Sequence, residues 1–454
     1  HRVRMRRAFN SKRWHLSRKI AKRLLNSSNE SELACGIIIR SFWNEKRWSD
    51  VIKSVESLPL NSASFLGDNA KEKLNYKPVS VKIKPADRAV IPTEKSDFNW
   101  DEKNVLNNWH QLGKRLWFRS EKRWSHWDMP EGFSLKSTSD SLIELATEVL
   151  ISPWHNDSKE IKTARRISGK EVALSFSGGM DSSAAMLIMP ESTILGYHKR
   201  DFESMIKHEN AEILFSAMEE KLSRKVISIG SDHELIRSDE GKMVGFSTDY
   251  ASGVHLILLA DFLDLKGIAF GLPIDNGWLN KGKKFRNFEQ SNHWQYWSKR
   301  FNHAGLDLIL PINMISEAGA LKICAQSKII DSINSCLRGS DQKGCGKCWK
   351  CFHKNGPLGR DIDTSSYEIS TFLAQRPLRT AMHALWAIQK MSLGHLVPDL
   401  EHYFENGLSW WEQIYMPGFD LIPHYLRAEI KVNSLKVLEP MVDNSKLENL
   451  DLFG

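Results

Sequence analysis

Two short stretches of the chain carry residue types whose spacing can do chemistry. The first is Ser175-Phe176-Ser177-Gly178-Gly179-Met180-Asp181-Ser182-Ser183. Its glycine pair lets the backbone approach an anion closely, and its serine hydroxyls add hydrogen-bond donors. A strand entering and a helix leaving such a turn point unpaired first-turn N–H groups at a bound phosphate. Asp181 would repel a bare phosphate, so it suits a nucleotide whose phosphates carry Mg2+. The second stretch is Cys336-x8-Cys345-x2-Cys348-x2-Cys351, four of the six cysteines, with Gly339, Gly344 and Gly346 for tight turns. Four thiolates at these spacings suit tetrahedral Zn2+. An iron–sulfur cluster is the rival, since Cys-x2-Cys-x2-Cys is also a cluster-ligand spacing; the usual following proline is missing, and Phe352 and His353 stand there instead. With every position filled by cysteine, the zinc would be structural.

The elements around the first stretch must hold it in place. Residues 171–176 read as a buried strand and 181–189 as a helix. A strand at 192–198, a helix at 205–222, a strand at 225–229, a helix at 252–265 and a strand at 267–271 follow. This alternation predicts an α/β fold with a doubly wound parallel sheet and ligands at the strand C-terminal ends. Tyr197 and His198, ending the second strand, are then natural neighbours of the adenine or ribose; a strand-end surface position is the alternative for His198. Asp275 follows the fourth strand and could contact a base or an amine, or be an ordinary surface carboxylate. Lys281, Lys283 and Lys284 could close over phosphates, or form a solvated charge run.

The Ser-Gly-Gly-x-Asp-Ser stretch resembles the PP-loop of ATP pyrophosphatases, which cleave ATP between the α and β phosphates. Ser335-Cys336-Leu337-Arg338-Gly339 and Gly344-Cys345-Gly346-Lys347-Cys348-Trp349-Lys350-Cys351 resemble the zinc loop that ends the 7-cyano-7-deazaguanine synthases. Between them, Ser252-Gly253-Val254-His255, Phe270-Gly271-Leu272-Pro273 and Leu310-Pro311-Ile312 keep the synthase order loosely. The synthases have Arg-Asn where this chain has Val254-His255, and Thr-Lys where it has Ser316-Glu317. They also lack its long N-terminal and C-terminal regions. The resemblance is strongest to longer synthase-like proteins of bacterial antiphage operons. It implies a ligase that adenylates the carboxylate of a 7-deazaguanine and passes it to an amine on a protein partner, releasing AMP and pyrophosphate. Ser175, Ser177, Gly178, Gly179, Asp181, Ser182 and Ser183 would hold ATP, with Asp181, Ser177 and Ser182 acting in catalysis. Nitrile formation, a tRNA-directed or asparagine-synthetase-like ligase, and a non-catalytic nucleotide-binding scaffold are the alternatives.

The 454 residues, with a net charge of +8, favour anionic partners. No apolar run approaches the roughly 18–20 residues of a membrane span. The clustered cysteines predict a reducing, cytoplasmic compartment. Residues 1–29 hold ten Lys and Arg and no acid, which predicts a solvated basic helix rather than a targeting peptide or nucleic-acid arm. Residues 36–39 and 79–83 read as strands and 100–118 as a helix, giving an α+β N-terminal domain over 1–150. Cys35-Gly36-Ile37 is similar to the start of glutamine-hydrolysing asparagine synthetases, but an internal cysteine reads as buried and structural. Lys114 to Trp127 interleaves cations with Trp117, Phe118, Trp124 and Trp127, a mixture for stacking bases or for an amphipathic element; the latter is favoured. The phosphate-loop domain spans 165–356. The remainder, 357–454, reads as an α-helical cap, with one helix starting at Pro377.

Overall fold

The computed structural model describes residues 1–25, 30–59, 63–75, 100–101, 104–154, 161–202, 208–336 and 338–452. The predicted strand at 79–83 lies outside them. An eight-stranded sheet is built from β1 (Trp109–Leu112), β2 (Arg115–Arg119), β3 (Trp124–Asp128), β4 (Glu171–Ser175), β5 (Ile194–Arg200), β6 (Val226–Ser231), β7 (Leu265–Phe270) and β10 (Asp307–Ile309). β8 (Leu279–Asn280) and β9 (Lys284–Phe285) form a separate small hairpin. The order in the large sheet is β1-β2-β3-β6-β5-β4-β7-β10. Strands β6 to β10 in that order pair in parallel, and β1 to β3 extend the sheet antiparallel.

The chain therefore winds outward from β4 through β5 to β6, then returns across β4 to β7 and β10. The reversal lies between β4 and β7, and the crevice outside their carboxyl ends is where such sheets take ligands. Helix Met180–Ile188 packs with Glu317–Ala325 and His424–Leu435, while Asp140–Ile151 packs with Val254–Leu258 and Asn292–His303. The central strands are buried through Val172, Ala173, Leu174, Ile268 and Ala269, as expected of parallel strands covered on both faces. One apolar core runs from Trp109 to Leu452, so the C-terminal helices share it with the sheet.

Several sequence expectations are corrected. The helix predicted over 100–118 is replaced at 109–118: β1 and β2 form a hairpin around Gly113 (φ 59°) and Lys114, and a positive-φ glycine at the first loop position suits that turn. Trp109 packs against Phe118 and Trp127 with ring centroids 4.7 and 5.3 Å away, while Arg115, Lys122 and Arg123 pair with Asp128, Glu240 and Asp239. Residues 36–39 are not a strand but belong to helix Ser31–Asn44. That helix is apolar on two sides, since Ile37 and Ile38 enter one cluster and Ile39 and Trp43 another. The helix predicted over 252–265 ends early, as a 3-10 turn and Val254–Leu258, and turns that finish at Asp264 (φ 52°) lead into β7. The helix predicted from Pro377 starts at Ala381, after Thr380 in a left-handed conformation (φ 48°).

The start of the chain forms five helices, Arg2–Asn10, Trp14–Leu24, Ser31–Asn44, Trp48–Ser57 and Leu66–Asn75. The first two are only partly solvated: Met5, Ala8 and Phe9 are buried, and Arg18 pairs with Glu45 at 2.7 Å. Arg40 reaches the C-terminal region, where Asp399 receives it at 3.4 Å and Arg376 at 2.7 Å. No helix among the described residues is long and apolar enough to cross a membrane.

Candidate functional site

β4 ends at Ser175, and the chain turns through Gly178 (φ 72°) into helix Met180–Ile188. A Cβ at Gly271 would lie 3.0 Å from the backbone of Ser182, so the end of β7 comes as near to the helix start as a glycine permits. Inside the turn, Ser177 N–H donates to Ser182 Oγ at 3.1 Å, and the two hydroxyls lie 3.0 Å apart. Met180 N–H donates to Ser335 Oγ at 2.9 Å. The N–H groups of Gly178 and Asp181 have no partner among the described residues. This is a glycine turn at a helix N-terminus, placed at the switch point of the sheet.

The turn opens on a cavity of about 520 Å³. Ser175, Ser177, Gly179, Asp181, Tyr197 and His198 line it together, so most of the predicted nucleotide residues converge. Gly178 shapes the turn, and Ser182 braces it through Ser177. Ser183 is buried behind it, its hydroxyl unpaired among the described residues, and lines no part of the cavity wall. Tyr197 Oη bonds His208 Nδ1 at 2.6 Å, and His198 Nε2 lies 3.1 Å from Glu234 Oε1. Burial opposes the charge on Glu234, but His198 and Arg200 outweigh it and hold the carboxyl down at about 2. His255 is wholly buried against Gly196, and burial pushes it down to about 3, so it is neutral.

The floor holds an ion cluster that sequence reasoning missed. Lys354 Nζ sits between Asp181 Oδ1 at 2.7 Å and Glu317 Oε2 at 2.6 Å. Burial disfavours the ammonium, yet the two carboxylates raise its pKa above the ordinary lysine value. Glu317 is opposed by burial and rescued by Lys354 and His383, which hold it down at about 2. Asp275 is buried under this cluster, not on the surface; its Oδ2 accepts Glu317 N–H at 2.8 Å, and burial beside Glu317 drives its pKa well up. His353 and His383 are buried beside Glu317, and burial lowers both, His383 to about 4. Asp181 keeps Oδ2 without a partner among the described residues, and its side chain is 30% exposed toward solvent. Lys354 and Asp181 are 173 positions apart, so no local pattern could have paired them. The available signals were the glutamate at 317 and a lysine three residues beyond Cys351.

The four cysteines also converge. Cys348 Sγ lies 3.7 Å from Cys336 Sγ and 3.6 Å from Cys351 Sγ, and Cys345 Sγ lies 3.9 Å from Cys351 Sγ. All four sulfurs are within 4.8 Å of one another. A tetrahedral ion with metal–sulfur bonds of about 2.3 Å requires sulfur separations of about 3.8 Å, so the cluster can hold one metal ion. Cys345 N–H and Asn355 Nδ2 point at Cys336 and Cys351 sulfurs at 3.4 and 3.5 Å, as thiolates would favour. Residues 296–450 match a family described as a family of unknown function (DUF6395). The match takes in Glu317, the four cysteines and Lys354 but begins after the glycine turn. No curated protein matches the chain. The cysteine loop touches the glycine turn from two sides, Ser335 bonding Met180 and Lys354 pairing with Asp181. Cys324 donates to Met180 O at 3.3 Å and is buried, as is Cys35; both are core residues, and burial pushes both thiols up.

Proposed function

We propose that this chain is a PP-loop, ATP-dependent, carboxylate-activating ligase of the kind its sequence resembles, acting on a 7-deazaguanine carboxylate. The observation that carries the reading is the glycine turn at the β4–β7 switch point, opening on a cavity whose floor is Asp181–Lys354–Glu317. Ser177, Gly178, Gly179 and the helix N-terminus bind the pyrophosphate end of ATP. The free Oδ2 of Asp181 fits Mg2+, which would neutralise phosphate charge. Lys354 supplies a fixed positive charge beside the departing pyrophosphate, without reorganisation at the moment of reaction. It stands in for the cation that the synthases carry where this chain has Glu317.

The reaction runs in two displacements. A carboxylate oxygen of the base attacks the α-phosphorus as the bond to pyrophosphate breaks. An amine nitrogen then attacks the acyl carbon, AMP leaves with the former carboxylate oxygen, and the amine loses a proton to solvent. No protein nucleophile is required, since positioning and charge stabilisation carry the rate. The metal in the cysteine cluster is zinc on this reading, held by Cys336, Cys345, Cys348 and Cys351. It is structural, because four thiolates leave no open position. Incubating the full chain with ATP, Mg2+ and 7-carboxy-7-deazaguanine should give AMP and pyrophosphate, dependent on the base. Formation of ADP, or nucleotide binding without turnover under any acceptor, would favour a scaffold.

A further inference from the structure

Beside the phosphate-loop cavity lies a second and larger one, of about 960 Å³. Its wall joins four parts of the chain: residues 10–14 after the first helix, Asn44, the segment 275–286 that carries the β8–β9 turn, and residues 375–380. Lys12, Lys281, Lys283 and Arg379 line it and have no carboxylate partner among the described residues. Lys284, next along, pairs with Asp451 at 2.9 Å and does not line the cavity. The one carboxylate in the described wall is Asp275, whose Oδ2 is already taken by Glu317 N–H.

The turn that carries two of these charges is held through its backbone. Gly282 (φ 68°) separates Lys281 from Lys283, and a Cβ there would lie 2.6 Å from Thr380 Cα. Gly282 O accepts Met382 N–H at 2.8 Å, so the turn is clamped onto the following helix. Asn276, Arg379 and Thr380 line both cavities, so the basic one adjoins the cavity that Asp181 and Lys354 line.

We infer that this basic cavity binds an acidic polypeptide segment and presents its amine to the phosphate-loop cavity, a reading that rests on the ligase proposal for the amine's fate. The cations match carboxylates. Asn10, Asn44, Asn280 and Gln375 offer side-chain amides that pair with peptide groups. Single-stranded nucleic acid would call for a row of aromatic faces, and Trp14 is the one aromatic residue in the described wall. The bond formed is the amide between the peptide amine and the activated acyl carbon; the bond broken is that carbon's link to AMP.

Fluorescence anisotropy with the full chain tests this, using a peptide of about ten alternating Asp and Glu residues, free at its N-terminus and labelled at its C-terminus. The peptide should bind, and Lys281→Glu with Lys283→Glu should weaken it at least about tenfold, as charge reversal at a matched surface does. Should that double variant fail to fold, Lys12→Glu on a separate segment must show the same loss in direction. Unchanged affinity in the folded variants, no peptide binding, or tighter binding of a length-matched oligothymidylate lost in the same variants would overturn the inference. ATP binding is measured in parallel. Peptide binding without ATP binding keeps the peptide site and removes the ligase reading, while ATP binding without peptide binding does the reverse.

Discussion

Two buried ion clusters differ in how completely their charges are matched. Between the N-terminal helices and the C-terminal region, Arg376 grips both oxygens of Asp399 at 2.7 Å and Arg40 adds a third contact at 3.4 Å. Two further Arg376 contacts go to the carbonyls of Leu373 and Gln375. Burial opposes the Asp399 charge, but the two guanidiniums hold its pKa far below the carboxylate range; burial takes Arg40 down to about 10. Under the glycine turn, by contrast, one lysine serves two carboxylates, and Asp275 Oδ1, His353 Nε2 and His383 Nδ1 have no hydrogen-bond partner among the described residues. A cluster whose carboxylate is held on both oxygens between two segments is a clasp. An unsaturated one beside a cavity leaves capacity for a ligand, at a cost in stability that the fold must carry elsewhere.

That contrast can be broken from either side. Metal removal should have the largest effect, because a structural site contributes about 10–16 kcal/mol of folding-coupled binding in small zinc modules. A strong chelator should lower the unfolding midpoint and abolish turnover together, since the segment after Cys351 carries Lys354; elemental analysis of the untreated protein should give about one zinc per chain. Asp399→Ala leaves two arginines buried without their carboxylate and should cost about 3–5 kcal/mol of stability, measured by urea unfolding, with turnover intact in the folded fraction. Asp181→Ala should show the opposite profile. Turnover should fall at least about 100- to 1000-fold, while stability drops by about 1 kcal/mol because Lys354 retains Glu317.

The smallest effect is in the pH dependence of stability. His383 is held down to about 4 from an ordinary 6.5, so its contribution is present above 6.5 and lost as pH falls through 4. Glu317 is held down to about 2 from 4.5, so its contribution is present above 4.5 and lost as pH falls through 2. Stability should therefore decline in two overlapping stages below pH 6.5. Glu317→Gln should flatten the lower stage, and an unaltered slope there would show that the lysine cluster does not hold Glu317 ionised.

Much of the parallel sheet was legible because its signals are local. Val-Ala-Leu ahead of a glycine pair, and strands alternating with helices, need no knowledge of partners. The cysteine cluster was legible by spacing alone. The β1–β3 hairpins were not, since their aromatic and basic residues fit a helix about as well as a half-buried strand, and a lone Gly113 is a weak turn signal. Residues 36–39 misled for a related reason: three isoleucines in a row look like a strand, but a helix between two apolar clusters needs them as well. Lys354, Ser335 and the depth of Asp275 depend on contacts between distant segments, which periodicity cannot carry.

On the proposed reaction, a substrate carboxylate attacks the α-phosphorus at the glycine turn. Supplying 7-carboxy-7-deazaguanine with both carboxylate oxygens as ¹⁸O, together with ATP, Mg2+ and an amine acceptor, tests it directly by mass spectrometry of the nucleotide product. The expected products are AMP carrying one ¹⁸O and unlabelled pyrophosphate. Unlabelled AMP, or ADP with orthophosphate, would contradict it.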